Sequence, residues 1–320
     1  MKEQFTAVEM HHKASKYAPE RCTFECNDAN EQASNLTDWS QTYDQIGSGH
    51  FYGRIDELRL GTMQVYREHS SHALHQQCLV RPDALWFGIP SEREKCRING
   101  QPLERTDVLC RPGNQPFELV TQDRFDMLGI VIAKHELQGK TTAGSFDSLH
   151  LDDSPRLKLP LKTLHQLRYL ITRVVDAGPV DSHIHRDIVL IGLSELLSVE
   201  QPNVSVPPSY SHRKDVVNRI RMHVESAGDT PTTISKLCEI GCVSRRTLQY
   251  SFESILGVTP SQFLRVSRLN RVRRMLSAPD TVCVSDAATF FGFYHLSQFA
   301  SDYKHLFGEL PSETLSRHSA

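Results

Sequence analysis

The stretch CVSRRTLQYSFESILGVTP (242–260) returns 51 residues later as FYHLSQFASDYKHLFGELP (293–311). At that shift Ser244 falls on His295, Leu248 on Phe299, Phe252 on Tyr303, Leu256 on Phe307, Gly257 on Gly308 and Pro260 on Pro311. Matches at apolar positions, and at the Gly and Pro that stop and start helices, mark two copies of one supersecondary unit. In each copy a short helix (TTISKLCEI; SDAATFF) precedes a turn containing Gly241 or Gly292, and a second helix opens on a polar residue. This is the helix-turn-helix pattern. Cys238 and Ala288, small residues of the two first helices, stand 50 apart, so the two turns are expected to differ in length by one residue.

In the second helix of copy one, Leu248, Phe252 and Ile255 recur at i, i+4 and i+7 and predict its buried face. The opposite face carries Arg246, Gln249, Tyr250 and Glu253, with Arg245 beside its N-terminal end. In the major groove of double-stranded DNA, Arg pairs with guanine and Gln with adenine through two hydrogen bonds each. A polar stripe alone also reads as a solvated helix face; the duplication is what favours DNA. Copy two offers Leu296, Ser297, Ala300, Ser301 and Lys304, groups suited to thymine methyls, a hydroxyl contact and a phosphate, or to backbone clamping alone. Between the copies, 260–277 reads as a helix about 27 Å long, near the roughly 34 Å between successive major-groove faces. Of its arginines (Arg265, Arg268, Arg271, Arg273, Arg274), some are expected to serve buried carboxylates or carbonyls and the rest to meet phosphates.

Composition sets the wider frame. With 320 residues, 39% hydrophobic and 23% charged, the chain has room for two or three globular domains. Residues 210–320 hold 14 Lys and Arg against 10 Asp and Glu, while the preceding 209 hold 22 against 28, so the repeat-bearing third is the basic one. Runs such as LGIVIA (128–133) and IVLIGL (188–193) are too short to cross a bilayer, and MKEQFTAVEMHHK lacks the apolar stretch of a secretory signal. A cytoplasmic location with no membrane partner is the expectation, and the eight scattered cysteines read as reduced thiols.

Residues 1–40 are polar without sustained periodicity and read as a loosely ordered arm. From about 41 to 150 the text is strand-like: MQVYREH, ALWFGIP and FELVTQ are separated by turns such as NGQP (99–102) and RPGNQP (111–116), which suggests a sandwich or small barrel. Within 151–200 the period turns helical, with Leu161, Leu164, Leu167, Ile171 and Val174 in one stripe and Ile184, Ile188 and Ile191 in another. That is a helical hairpin, a candidate for dimerisation or for packing on the β-domain. QPNVSVPPSYS (201–211), with three prolines, reads as a linker to the helical unit 212–320.

The string CVSRRTLQYSFESILGVTPSQFLRVSRLNRVRRML, followed by VSDAATFFGFYHLSQFASDYKHLFGELPSETL, resembles the AraC/XylS family of bacterial transcription regulators over roughly the last 105 residues. The signatures are Gly257 with Pro260, Arg268-Leu269 before Val272-Arg273, Gly292-Phe293, Phe299, Phe307-Gly308 and Pro311. The second stretch is also similar to the branch that includes regulators of ethanolamine-utilisation operons. The resemblance implies an α+β architecture: a cupin-like β-barrel or sandwich sensor with a helical hairpin, then an all-α DNA-binding domain with two helix-turn-helix units joined by a long helix. It also implies an activator that meets RNA polymerase, a small-molecule effector and a homodimer. Cys242, where the first turn often has Gly, and Val272, where Ala is common, depart from the pattern.

A rival reading is a cupin-type metal-dependent enzyme fused to a DNA-binding domain. His69, His72 and His75 invite it, but an i, i+3 spacing alternates strand faces, and the His183/His185 pair falls in the helical hairpin. Cys22 with Cys26 and Cys238 with Cys242 lack a second half-site. No catalytic residue, metal ligand or cofactor is therefore assigned. Trp86 and Phe87 are the candidate lining of an effector cavity, with core packing the alternative. A regulator controlled by a protein partner through its arm and β-domain is a further alternative.

Overall fold

The computed structural model describes residues 20–91, 95–137, 156–177, 182–199, 201–202, 209–226, 232–279 and 283–318. Its N-terminal part contains β1 (Glu20–Cys26), α1 (Ala29–Asn35), β2 (Trp39–Gln45), β3 (Gly53–Leu60), β4 (Met63–Ser70), β5 (Leu74–Val80) and β6 (Ala84–Pro90). These are followed by β7 (Cys96–Ile98), β8 (Gln101–Pro102), β9 (Asp107–Pro112), β10 (Phe117–Thr121) and β11 (Phe125–Ala133). The short α2 (Lys134–Leu137), β12 (Arg156–Lys158), α3 (Leu161–Asp176), α4 (Ser182–Val199) and β13 (Gln201–Pro202) complete it. The strands form two antiparallel sheets, ordered β1-β3-β4-β11-β6-β9-β12-β13 and β2-β5-β10-β7-β8. Asn99 and Gly100, both at positive φ, make the tight β7–β8 turn that NGQP announces.

The larger sheet is buried on both faces, which explains why β6 is apolar at every position. Leu85, Phe87 and Ile89 point into a core shared with Leu164, Leu167, Ile171 and Val174 of α3 and with Val189 and Leu193 of α4. Trp86 points the other way, into the core between the sheets with Tyr66, Tyr43 and Phe117.

Three sequence expectations need correction. Residues 20–40 are not a loose arm: β1 pairs with β3 along its whole length, and α1 is capped by Asp28, whose carboxylate accepts from the Asn30 and Glu31 amides. Their inward residues, Cys26, Ala29, Ala33 and Leu36, are mostly small and leave a weak apolar signal; residues 1–19 lie outside the described residues. In α4 the expected stripe is split, with Ile188 packed at the edge of the core but Ile184 54% and Ile191 67% exposed, because Val189, Leu190, Leu193, Leu196 and Leu197 form a stronger face that wins the core. Of the expected linker, Gln201 and Pro202 pair with β12, residues 203–208 lie outside the described residues, and a helix has begun by Tyr210.

The C-terminal part is helical: α5 (Tyr210–Ser226), α6 (Ile234–Gly241), α7 (Arg245–Ile255), α8 (Pro260–Leu276), α9 (Val284–Phe290), α10 (Leu296–Phe307) and α11 (Pro311–His318). Leu237, Leu248, Phe252, Ile255 and Leu264 pack with α5 in one core; Leu269, Val272, Leu276, Phe299, Tyr303 and Phe307 form a second. The rod α8 contributes to both. Ser244 caps α7 and Thr259 caps α8, each through its hydroxyl to the third following amide, and Pro260 occupies the first turn. Cys242 takes the left-handed conformation two residues before the cap Ser244, whereas Gly292 takes it three residues before His295, the expected difference of one. Gly241 is helical and lies against Val216 and Ile220 of α5, where a Cβ would come within 3.3–3.4 Å of their side chains.

The arginines of α8 are mostly structural. Arg273 is buried between Asp28 of the β-domain and Glu309 before α11, 2.9 Å from the latter, and lies over the Phe307 ring. Arg274 binds Asp44 at 2.7 Å, Arg271 donates to the Val224 carbonyl and Arg268 to its own helix at Leu264. Arg265 remains exposed, 4.0 Å from Asp302. Asn270 presents its amide to Gln45 as a strand would, accepting from the Gln45 amide at 3.0 Å and donating to its carbonyl at 2.9 Å. The next residue, Ile46, packs against both helical cores.

Burial alone would raise the Asp28 carboxyl, but the Arg273 guanidinium and two backbone amides more than offset it and hold its pKa below the ordinary value. Burial, reinforced by the Arg221 charge, pushes the His75 imidazole down from 6.5 to about 4. Between those two values the unfolded chain binds a proton that the folded chain refuses, so stability should fall as pH drops through that window. His75→Gln should flatten this slope in urea melts taken at several pH values. Arg273→Met, which leaves the buried Asp28 carboxylate without its counter-ion, should cost about 3–5 kcal/mol in the same measurement.

Candidate nucleic-acid interface

The two second helices of the repeat, α7 and α10, each bury one face and present the other to solvent. On α7, Leu248, Phe252 and Ile255 are buried and Arg245, Arg246, Gln249, Tyr250 and Glu253 are exposed. Arg246 makes no hydrogen bond or ion pair among the described residues, so its planar fork is free for a base edge. Arg245 is held at 3.1 Å by Ser235 of α6, which directs it beside the helix start. Gln249 donates to Glu253 at 2.8 Å, so reading an adenine requires that this bond be exchanged. Tyr250, although 59% exposed, is engaged from behind: the Arg213 guanidinium of α5 sits 5.2 Å over its ring and donates to its hydroxyl at 3.4 Å.

On α10, Leu296, Ser297, Ser301 and Lys304 are exposed and Ala300 is half-buried. Lys304 has no partner among the described residues. The helix face also carries residues that the sequence reading passed over. Gln298 is exposed and donates to Asp302 at 2.9 Å, repeating on copy two the Gln249–Glu253 arrangement of copy one. Tyr294 and His295 stand exposed at the helix start. The shift of 51 aligns Gln298 with the half-buried Thr247, so the repeat by itself does not mark it; its place one residue after Ser297 is the available signal.

The other candidate sites do not assemble. Trp86 and Phe87 are adjacent on one strand and therefore point to opposite faces, so they cannot line one cavity. Trp86 stacks on Phe117 at 4.6 Å and donates its indole N–H to Tyr66, while Phe87 lies in the core beneath α3 and α4. The space between the sheets is filled by such rings. His69 pairs with Asp126, His72 with Ser71 and His75 with Glu118, on separate strands and loops. His183 is exposed and His185 buried, and among the described residues no group of three or more His, Cys, Asp or Glu could hold a metal ion. No helix among the described residues is long and apolar enough to cross a membrane.

Comparison with known proteins places this geometry. A family described as a helix-turn-helix domain matches residues 237–317. Over 127 residues the chain is 34% identical to the XylDLEGF operon transcriptional activator 2 of Pseudomonas putida, covering 39% of this chain and 80% of that relative. It spans only 38% of the length of two further XylDLEGF activators of the same organism. It is also similar to the crystal structure of a probable AraC family transcriptional regulator from Rhodopseudomonas palustris, with 34% identity over 33% of this chain and 99% of that one, at a TM-score of 0.31.

The free Arg246 and the free Lys304 should behave differently. Arg246→Ala should relax base preference at one or two positions, at a cost of about 1–3 kcal/mol on the preferred site. Lys304→Ala should weaken all sites alike and flatten the salt dependence by about one unit. Selection from randomised duplexes with each variant, followed by affinity measured against salt, checks both.

Proposed function

Because the chain belongs to the AraC/XylS family and is a DNA-binding transcription regulator, we propose that it activates transcription by reading two successive major-groove segments with α7 and α10. The observation that carries this reading is the exposure of both outward helix faces on units that share one rod, whose arginines other than Arg265 are engaged within the protein. At a rise of about 1.5 Å per residue, α8 spans about 26 Å, which suits two readers on one side of a duplex. The activating sign follows the P. putida relatives, which are named as transcriptional activators, and contact with RNA polymerase in the cytoplasm goes with it.

The β-domain is proposed as the sensing part, where an effector alters DNA affinity by favouring one arrangement of the two parts over another. The acidic charge of residues 1–209 against the basic helical third supports a division of labour. Homodimerisation through the hairpin is supported by the outward face of α3 and α4, where Tyr169, Ile184 and Ile191 are all more than half exposed.

Footprinting of the full chain on genomic fragments at about 0.15 M salt should reveal protected sites of about 20 base pairs, two helical turns. Binding no tighter to any fragment than to bulk DNA would overturn the reading. Sedimentation of the full chain at tens of micromolar should give a dimer, and Ile184→Glu with Ile191→Glu should give a monomer that keeps its fold.

A further inference from the structure

We propose that the cavity between the β7–β8 hairpin and the start of α5 binds a small dianion bearing carboxylate or phosphate oxygens, and that its occupancy reaches the reading helix α7 through Arg213 and Tyr250. The cavity measures about 430 Å³ and is walled by the β-domain on one side and the first helix-turn-helix unit on the other. This volume lies in the range of roughly 300–1,000 Å³ typical of small-molecule sites. Three guanidinium groups line it, Arg97 from β7, Arg156 from β12 and Arg213 from α5, against one carboxylate, Glu104. That carboxylate is already bound to Lys158 at 2.8 Å, and the pair lies in the open.

The charges lining the cavity do not balance among the described residues. Arg213 is only 9% exposed, yet among the described residues it meets no carboxylate; its contacts are the Ser209 hydroxyl at 2.8 Å and Tyr250. Its Nε is buried without a hydrogen-bond partner. The Nε of Arg97 is in the same position, and Arg97 has no ion pair among the described residues. Its Nη1 lies over the α7–α8 turn at Gly257, 3.0 Å from where a Cβ would stand, so glycine there leaves room for the guanidinium. Charged groups buried this far are ordinarily paired. A guanidinium fork matches the two oxygens of a carboxylate or phosphate, and two such forks without counter-charge call for a ligand with two negative charges. Pro102, Leu103 and the Tyr210 ring give the cavity an apolar side for the ligand's carbon skeleton.

Arg213 gives the site its reach. The same Nη1 that binds Ser209 at the head of α5 also holds the Tyr250 hydroxyl on the outward face of α7. An anion drawing on that guanidinium competes with the Tyr250 ring for its charge, which frees a side chain at the DNA face. The effect on DNA rests on the regulatory reading above; binding of the anion does not.

Calorimetric titration of the full chain with inorganic phosphate, succinate and citrate, at constant ionic strength set with chloride, tests the site, and the separate arms distinguish phosphate from carboxylate ligands. At least one probe should bind one to one with a Kd below about 1 mM. Arg97→Gln should weaken it by about tenfold or more, the loss expected for a charge-assisted fork, while Lys95→Gln, in the neighbouring cavity, should not. Operator affinity of the wild type should shift several-fold with the bound probe, and that of Arg97→Gln should not. If no probe binds beyond chloride, or if Arg97→Gln binds as well as wild type, the site is wrong. Binding that leaves operator affinity unchanged overturns the relay. Operator affinity without any anion is measured separately, so failure of the regulatory reading shows there and not in the titration.

Discussion

One buried guanidinium holds the molecule together. Arg273 leaves the last turn of the rod helix and is closed between Asp28 of the β-domain and Glu309 at the foot of the second helix-turn-helix unit. A charge taken out of water needs a counter-charge, and removing the guanidinium would leave Asp28 as an uncompensated ion in the interior. Three otherwise independent pieces therefore come to one point: the cap of α1, the rod and the last helix. Arg317 joins Glu309 from the outside, and the Thr314 hydroxyl completes its hydrogen bonds.

Around that point the β-domain is fitted between the two helical units. Gln45 and the loop after it lie across the rod, and the last turn of α10 is finished by them: the Leu306 carbonyl accepts from the Gln45 side chain at 2.8 Å and the Gly49 amide at 3.0 Å. Carbonyls at a helix end have no partner within the helix, so the β-domain supplies what the helix lacks. Gly308, in the left-handed conformation, lies so close to His50 that a side chain there would collide with its backbone. The relative setting of the two reading helices is thus tied to the β-domain by backbone hydrogen bonds and a buried ion pair. The β-domain and the helical domain are mechanically joined, while the outward faces of α7 and α10 stay open to solvent.

The filled interior of the sandwich moves attention to the seam. Trp86, Tyr66, Phe117 and Tyr43 occupy the space in which a barrel would otherwise hold a ligand, and two cavities lie where the β-domain meets the helical units. Charge is concentrated at the same seam. Arg221 binds Glu118, Arg274 binds Asp44, and Arg97 and Arg213 stand without a carboxylate among the described residues.

The repeat alone determined the helical third. Apolar positions at helical spacing, the Gly and Pro at fixed offsets and the one-residue difference between the turns are local properties, and local sequence is enough to set them; the faces of α7 and α10 followed. Strand existence was legible in 63–69, 84–90 and 117–122 for the same reason. What each face would meet was decided only by tertiary structure. The period of a strand says that Trp86 and Phe87 diverge, but not that both sides are covered. Two competing apolar stripes on α4 could be ranked only by the surface they pack on, which left Ile184 and Ile191 outside. The arginines of the rod read alike in sequence, yet burial assigned Arg273 and Arg274 to carboxylates more than 200 residues away and left Arg265 exposed. Charge pairing depends on distance in space, and the chain order carries no record of it.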